Sequence, residues 1–198
     1  MASVSADTAD SGRAEEIVAA AAAIFSRKGY VATTTREIGE AVGIDNSSLY
    51  YYIKSKEALL YEIVRSVYEP LGRQAELIEA EGGDEATQLR RLVTAHLCGF
   101  ADNVEATRVC YADWQHLRGD YLQDIRGRRA SYGHYVQRLI IGGQQSGWFN
   151  PRLDPATATH AVLTLLNSLN LWYNPEHSTS IETVMDSYLT IIFSGLAA

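Results

Sequence analysis

Lysine is scarce in this chain: the three present, Lys28, Lys54 and Lys56, all lie in the first 56 positions. Net charge is -7 over 198 residues, so a uniformly basic nucleic-acid coat is excluded, and any phosphate contact must come from a local patch. Cysteine is limited to Cys98 and Cys110, which lack metal-type spacing and a disulfide framework, in keeping with a reducing compartment. No apolar run approaches the roughly 20 residues needed to span a bilayer. AAAAAIF and LTIIFSGLAA are both too short, so no membrane partner is expected. The opening MASVSADTAD lacks a basic segment and is expected to form a disordered tail over residues 1–10 rather than a signal peptide; the protein is expected to be cytoplasmic. No HExxH, P-loop or nucleophile elbow occurs, and GGQQSG at 142–147 reads as a helix ending in a glycine cap because no strand precedes it.

What is present is concentrated between Thr34 and Lys56. Thr34 followed by Glu37 is a capping box that starts a short helix with Ile38 and Val42 on one face. Gly43 suits a left-handed exit from that helix, and Ile44 turns back towards the core. Asp45, Asn46 and Ser47 offer N-cap chemistry to a second helix, which carries Leu49, Tyr52 and Ile53 towards the first. With the small Gly39 at the closest approach, the spacing over 34–53 describes a helix-turn-helix, against the plainer alternative of an ordinary helical hairpin. Charge agrees locally: from Arg27 to Lys56 there are five basic residues against three acidic ones.

Before the motif, Ser11 to Lys28 reads as a helix with Ile17, Ala21, Ile24 and Phe25 on one side, giving a three-helix DNA-binding bundle over 11–56. Beyond it, 57–198 reads as a larger helical domain for ligand binding and dimerisation, so the fold class is all-α. Ser55 caps a long fourth helix in which Pro70 predicts a kink or break near Glu69, and Gly82 and Gly83 end it. Further helices are expected over 85–102, 105–117, 121–145, 155–172 and 180–194. The last two are apolar on more than one side, which points to a homodimer through that pair, with central burial as the alternative.

The segment GYVATTTREIGEAVGIDNSSLYYYIKSKEALL, Gly29 to Leu60, resembles the amino-terminal signature of the TetR family of bacterial transcriptional regulators. The resemblance implies a dimer whose second motif helices enter the major groove of a pseudo-palindromic, double-stranded DNA operator, and most often a repressor released by a small molecule. By the same resemblance Thr34, Thr35 and Arg36 would lie near phosphate, as would Tyr50, Tyr52, Lys54 and Lys56, with Tyr52 bracing the helix. Asn46, Ser47, Ser48 and Tyr51 would reach base edges. The family often has a basic or glycine residue near Asn46 and Ser47, and this chain departs from it there, with Asp45 adjacent.

The carboxy-terminal half is similar to members that sense acyl-CoA or other CoA thioesters, which implies a small apolar or amphipathic effector. His96, Phe100, Tyr111, Trp114, His134 and Trp172 could line a mostly apolar pocket or pack as core. Arg126, Arg128 and Arg129 could meet ligand phosphates or form a solvated helix face. Asp113 and His116 have spacing for an acid-base or metal pair but no third ligand, so no catalytic residue, metal or cofactor is assigned. Two other classes stand beside the regulator: a helical adaptor for proteins and, less favoured, a small-molecule enzyme.

Overall fold

The computed structural model describes residues 4–176 and 179–198, with side chains from Gly12 onward. Its helices are α1 (Val4–Lys28), α2 (Thr35–Ala41), α3 (Asn46–Tyr52), α4 (Lys56–Glu81), α5 (Glu85–Asp102), α6 (Val104–Asp113), α7 (Gly119–Gln145), α8 (Pro155–Asn167), α9 (Leu169–Trp172) and α10 (Ile181–Leu196). A 3-10 turn covers Trp114–His116. Among the described residues no strand forms, and one antiparallel bridge joins Phe149 to Ala197. No described helix is long and apolar enough to cross a membrane.

Helix boundaries follow local chemistry. The Asp84, Asp154 and Ser180 side chains each accept the backbone N–H three residues on, starting α5, α8 and α10. Pro155 occupies the first turn of α8, where its missing N–H costs nothing. The helix expected over 105–117 ends at Asp113 and passes into the 3-10 turn, and three other expectations are modified. α1 begins at Val4, inside the segment expected to be a tail, and residues 1–3 lie outside the described ones. The single helix expected over 155–172 is divided at Ser168 into α8 and α9. Of the kink or break expected near Glu69, no break occurs: α4 runs through Pro70, because one lost backbone bond is set against the burial of Tyr68, Leu71, Ala75 and Ile78.

The chain divides into two compact units. The first unit runs through Val67 and also takes in Glu105–Gln123. Its core contains Ile17, Phe25, Ile38, Leu49, Leu60 and Ile63, joined by Val109 and Leu117. The second comprises Tyr68–Val104 and Asp124–Ala198, with Leu89, Val93, Leu97, Ile140, Leu169 and Ile192 buried. Gly143 on α7 lies so close to the ring of Phe149 that a Cβ there would stand 2.2 Å from it. That approach fixes the loop which follows α7.

Candidate functional site

The first unit builds a helix-turn-helix from the predicted parts. Thr34 Oγ1 accepts the Glu37 N–H at 3.3 Å, and the Thr34 N–H donates to the Glu37 carboxylate at 2.8 Å, closing the capping box. Lys28 also contacts that carboxylate; its hydrogen bond, with those from Thr34, holds the acid down at about 2. Val42 ends α2, and Gly43 takes φ 71°, a left-handed conformation open to glycine without strain. At Gly39 an added Cβ would lie 2.9 Å from the Ile44 carbonyl oxygen, so only glycine allows α2 to approach the turn this closely. Leu49 is fully buried against α2.

Asp45 caps α3 and does more than cap it. Its carboxylate accepts the Ser48 N–H at 2.8 Å, the Ser48 hydroxyl at 2.9 Å and the Ser47 hydroxyl. The Ser47 hydroxyl, followed by the Ser48 N–H and hydroxyl, holds this acid at about 2, so it stays charged at neutral pH. Asn46 and Ser47 are exposed and Ser48 is half-buried. On the same helix Tyr50 is 48% exposed and Tyr51 76%, while Tyr52 is half-buried and meets Tyr51 edge-on with ring centroids 5.1 Å apart. The Tyr50 hydroxyl lies 3.4 Å from that of Thr35, joining the two motif helices at their outer edge. Arg36 is exposed and pairs with Glu40 at 2.8 Å; Lys54 is exposed. Thr34, Thr35, Arg36, Asn46, Ser47, Tyr50 and Tyr51 are thus brought together on the motif.

Lys56 reaches the loop that precedes α2. Its ammonium donates to the carbonyls of Tyr30 (2.9 Å), Thr33 (2.8 Å) and Val31 (3.4 Å) and stands 4.5 Å from the centre of the Tyr30 ring. The same loop is held from α6: the Tyr30 N–H donates to Asp113 at 3.3 Å, and the Tyr30 ring stacks on His116 at 5.5 Å. Burial raises the Asp113 carboxyl above its ordinary value, opposed by the Tyr30 N–H, His116 and Lys56. Asp113 and His116 lie 3.8 Å apart and serve this joint. Nearby, the Arg118 N–H donates to Glu57 at 2.7 Å and Tyr61 stacks on Tyr121 at 4.4 Å.

The six residues proposed for a ligand pocket fall in both units. His96 and Phe100 are buried in the second unit. His96 Nδ1 lies 3.1 Å from the Tyr132 hydroxyl, and the Asn167 side chain also hydrogen-bonds the ring; burial pushes its pKa down to about 4. The Phe100 ring meets Tyr173 at 5.8 Å. Trp172 is half-exposed on α9 and donates to the Tyr188 hydroxyl at 3.3 Å. His134 is exposed on α7. Tyr111 and Trp114 belong to the first unit, half-buried, and near them in sequence the Thr107 hydroxyl is buried without a hydrogen-bond partner. Arg128 pairs with Asp124 at 2.7 Å, Arg129 donates to the Tyr68 hydroxyl at 3.0 Å, and Arg126 is exposed. Tyr132 and Asn167 were not foreseen, since nothing local marks a partner 36 residues from His96.

In the second unit α8 and α10 enclose an open, mostly apolar cleft of about 380 Å³. Its lining includes Ala158, Ala161, Val162, Leu165, Ile191 and Ile192, with Arg152 and Asp154 at one end. Ile191 is 56% exposed there.

This arrangement agrees with the comparisons. Residues 17–63 match the family described as bacterial regulatory proteins, tetR family, and residues 82–196 match the tetracyclin repressor-like C-terminal domain. The chain belongs to the TetR family. It is 30% identical over 192 residues to the HTH-type transcriptional repressor KstR2 of Rhodococcus jostii (strain RHA1), an alignment spanning 95% of this chain and 93% of that one. The structure of the ketosteroid transcriptional regulator KstR2 of Mycobacterium tuberculosis superposes with a TM-score of 0.88 at 25% identity, covering 94% and 95% of the two chains. AibR, solved in complex with isovaleryl coenzyme A and operator DNA, shares the fold with a TM-score of 0.82 at 20% identity, covering 91% and 98%. As a TetR-family member the protein is a ligand-responsive, DNA-binding transcriptional regulator of the repressor type and not an enzyme, and it works as a dimer on operator DNA. The adaptor and enzyme alternatives are set aside on this ground.

Proposed function

We propose that the protein represses transcription by laying α3 of each subunit in successive major grooves of a pseudo-palindromic operator, and that a small apolar or amphipathic effector releases it. The observation that carries this reading is the outer face of α3, where Asn46, Ser47, Tyr50 and Tyr51 are exposed while Leu49 anchors the helix from behind. Thr34, Thr35 and Arg36 supply the flanking backbone contacts, with Lys54 beyond α3. Because Asp45 takes the protons of both serine hydroxyls, Ser47 and Ser48 meet DNA as acceptors. That favours the exocyclic amines of adenine or cytosine at the bases they face. Tyr52 braces α3 through Tyr51.

Dimerisation runs through α8 and α10. The exposed Ile191 and the apolar cleft beside it support this pair as the interface. The effector belongs to the acyl-CoA or wider CoA-thioester class. That reading is supported by the mostly apolar interior of the second unit, with His96, Tyr132 and Asn167 as its polar group, and by the isovaleryl coenzyme A bound in AibR. Such a ligand acts through its differential affinity for two dimer geometries, one of which places the recognition helices about 34 Å apart. A cytoplasmic location follows from operator binding.

Selection of genomic fragments by the purified protein is expected to enrich a palindrome. Tyr51→Ala and Arg36→Ala should each weaken binding to it without lowering the melting temperature, and a thermal-shift screen should find stabilisation by CoA thioesters. Absence of an enriched sequence, or unchanged affinity in both variants, would refute the assigned face.

A further inference from the structure

We infer that Lys56 is a positioning residue that sets the spacing of the two motif helices from within the protein and makes no phosphate contact, an inference that rests on the DNA-binding reading above. Lys56 is the first residue of α4, three residues past the motif, and Thr33 lies immediately before the motif. The ammonium therefore joins the two ends of the helix-turn-helix. An ammonium has three N–H donors, and here three carbonyls converge on it, from Tyr30, Val31 and Thr33, over the face of the Tyr30 ring. Turning to a phosphate would strip two short charge-assisted bonds, leaving the Tyr30 carbonyl only the Thr33 N–H at 3.3 Å and depriving the Thr33 carbonyl of the ammonium, so the exchange gains little.

The bond to Thr33 has a direct consequence for the DNA face. The peptide group between Thr33 and Thr34 is held at both ends: its carbonyl by Lys56 and its N–H by the Glu37 carboxylate. The plane of that peptide orients the Thr34 cap, and with it the side chains of Thr35 and Arg36. The Thr33 hydroxyl donates to the Gly29 carbonyl at 2.9 Å, and the Tyr30 N–H is taken by Asp113, so the loop is pinned from the end of α1 and from α6 as well. Lys56 thus acts on DNA through Thr34, Thr35 and Arg36.

Salt dependence separates positioning from contact, because each neutralised phosphate adds about 0.9 to the slope of log affinity against log salt. Affinities of the wild type, Lys56→Met and Tyr30→Leu are measured by fluorescence anisotropy across a salt series. The probes are the duplex enriched by the wild type and a random-sequence duplex, used well below each variant's melting temperature. Lys56→Met is expected to bind the enriched duplex at least tenfold more weakly with an unchanged slope. Its amide exchange should rise in the Tyr30–Thr34 loop while the Leu89–Leu97 amides stay protected, which a general loss of stability would not produce. Tyr30→Leu keeps the charge and is expected to lose affinity in the same way, so the inference remains testable should Lys56→Met fail to fold. A slope lower by about 0.9 in Lys56→Met would overturn it. So would wild-type affinity in either variant. If the wild type bound neither duplex, the DNA-binding reading itself would fall, and the inference with it.

Discussion

Acidification offers a direct test of the buried histidine in the second unit. His96 is 6% exposed, bonded to Tyr132 and Asn167, and its pKa is pushed down to about 4 by burial from an ordinary value of 6.5. The unfolded chain therefore binds a proton between those values that the folded protein excludes, so stability is fully present above pH 6.5 and is lost as pH falls towards 4. At about 1.4 kcal/mol per pKa unit the whole effect is on the order of 3 kcal/mol. Integrated between pH 7 and pH 5, it is about 2 kcal/mol. The assay is urea denaturation at both pH values, at one fixed protein concentration because a dimer's stability depends on it. His96→Asn keeps a polar group near the Nδ1 position but does not titrate, so it should lose about 2 kcal/mol less than the wild type over that interval. The other histidines contribute equally to both proteins and cancel. Imidazole NMR should show His96 uncharged until below pH 5. A ring that titrates near 6.5, or a variant that loses as much stability as the wild type, would refute the argument.

Four further outcomes are expected. Gly39→Ala places a Cβ 2.9 Å from the Ile44 carbonyl, so α3 must shift; overpacking of about 1–3 kcal/mol outweighs the gain of about 1 kcal/mol in helix propensity, and calorimetry should show a lower melting temperature together with weaker operator binding. Gly99→Ala is the control: nothing lies within 4 Å of its Cβ, and the same measurement should show stabilisation by about 0.5–1 kcal/mol. Asp45→Asn still caps α3 but supplies its own donors and returns the serine hydroxyls to either role. Selection with this variant should relax the adenine or cytosine preference several-fold at the facing bases, and an unchanged preference would contradict the acceptor assignment. In the proposed α8 and α10 dimer Ile191→Arg would bury an unpaired charge, at a cost on the order of 3 kcal/mol, roughly a hundredfold in dimer affinity; sedimentation should show monomers where the wild type is dimeric.

The features legible in the sequence were those closed within a few residues. The Thr34 and Glu37 box, the Gly43 exit, the Asp45 cap and the burial of Ile38 and Leu49 appear where spacing put them. Pro70 does not break α4, because a rule about one backbone bond does not count the apolar face that the same helix buries. The proposed ligand set falls in both units. Aromatic and histidine residues on successive helices share a composition, yet composition carries no information on which helices meet, and Tyr111 and Trp114 went to the first unit with α6 while His96 and Phe100 remained in the second.

By itself, then, the sequence determined the helices, their caps and the helix-turn-helix, because each rests on a hydrogen bond or glycine conformation reaching no more than four or five residues. Tertiary structure alone decided that Lys56 turns inward to Tyr30 and Thr33, that Asp113 meets Tyr30 across 83 residues, and that His96 meets Tyr132 across 36. Those choices depend on where the packing of apolar cores carries distant segments, and a polar side chain takes the partners that the packed chain brings within its reach.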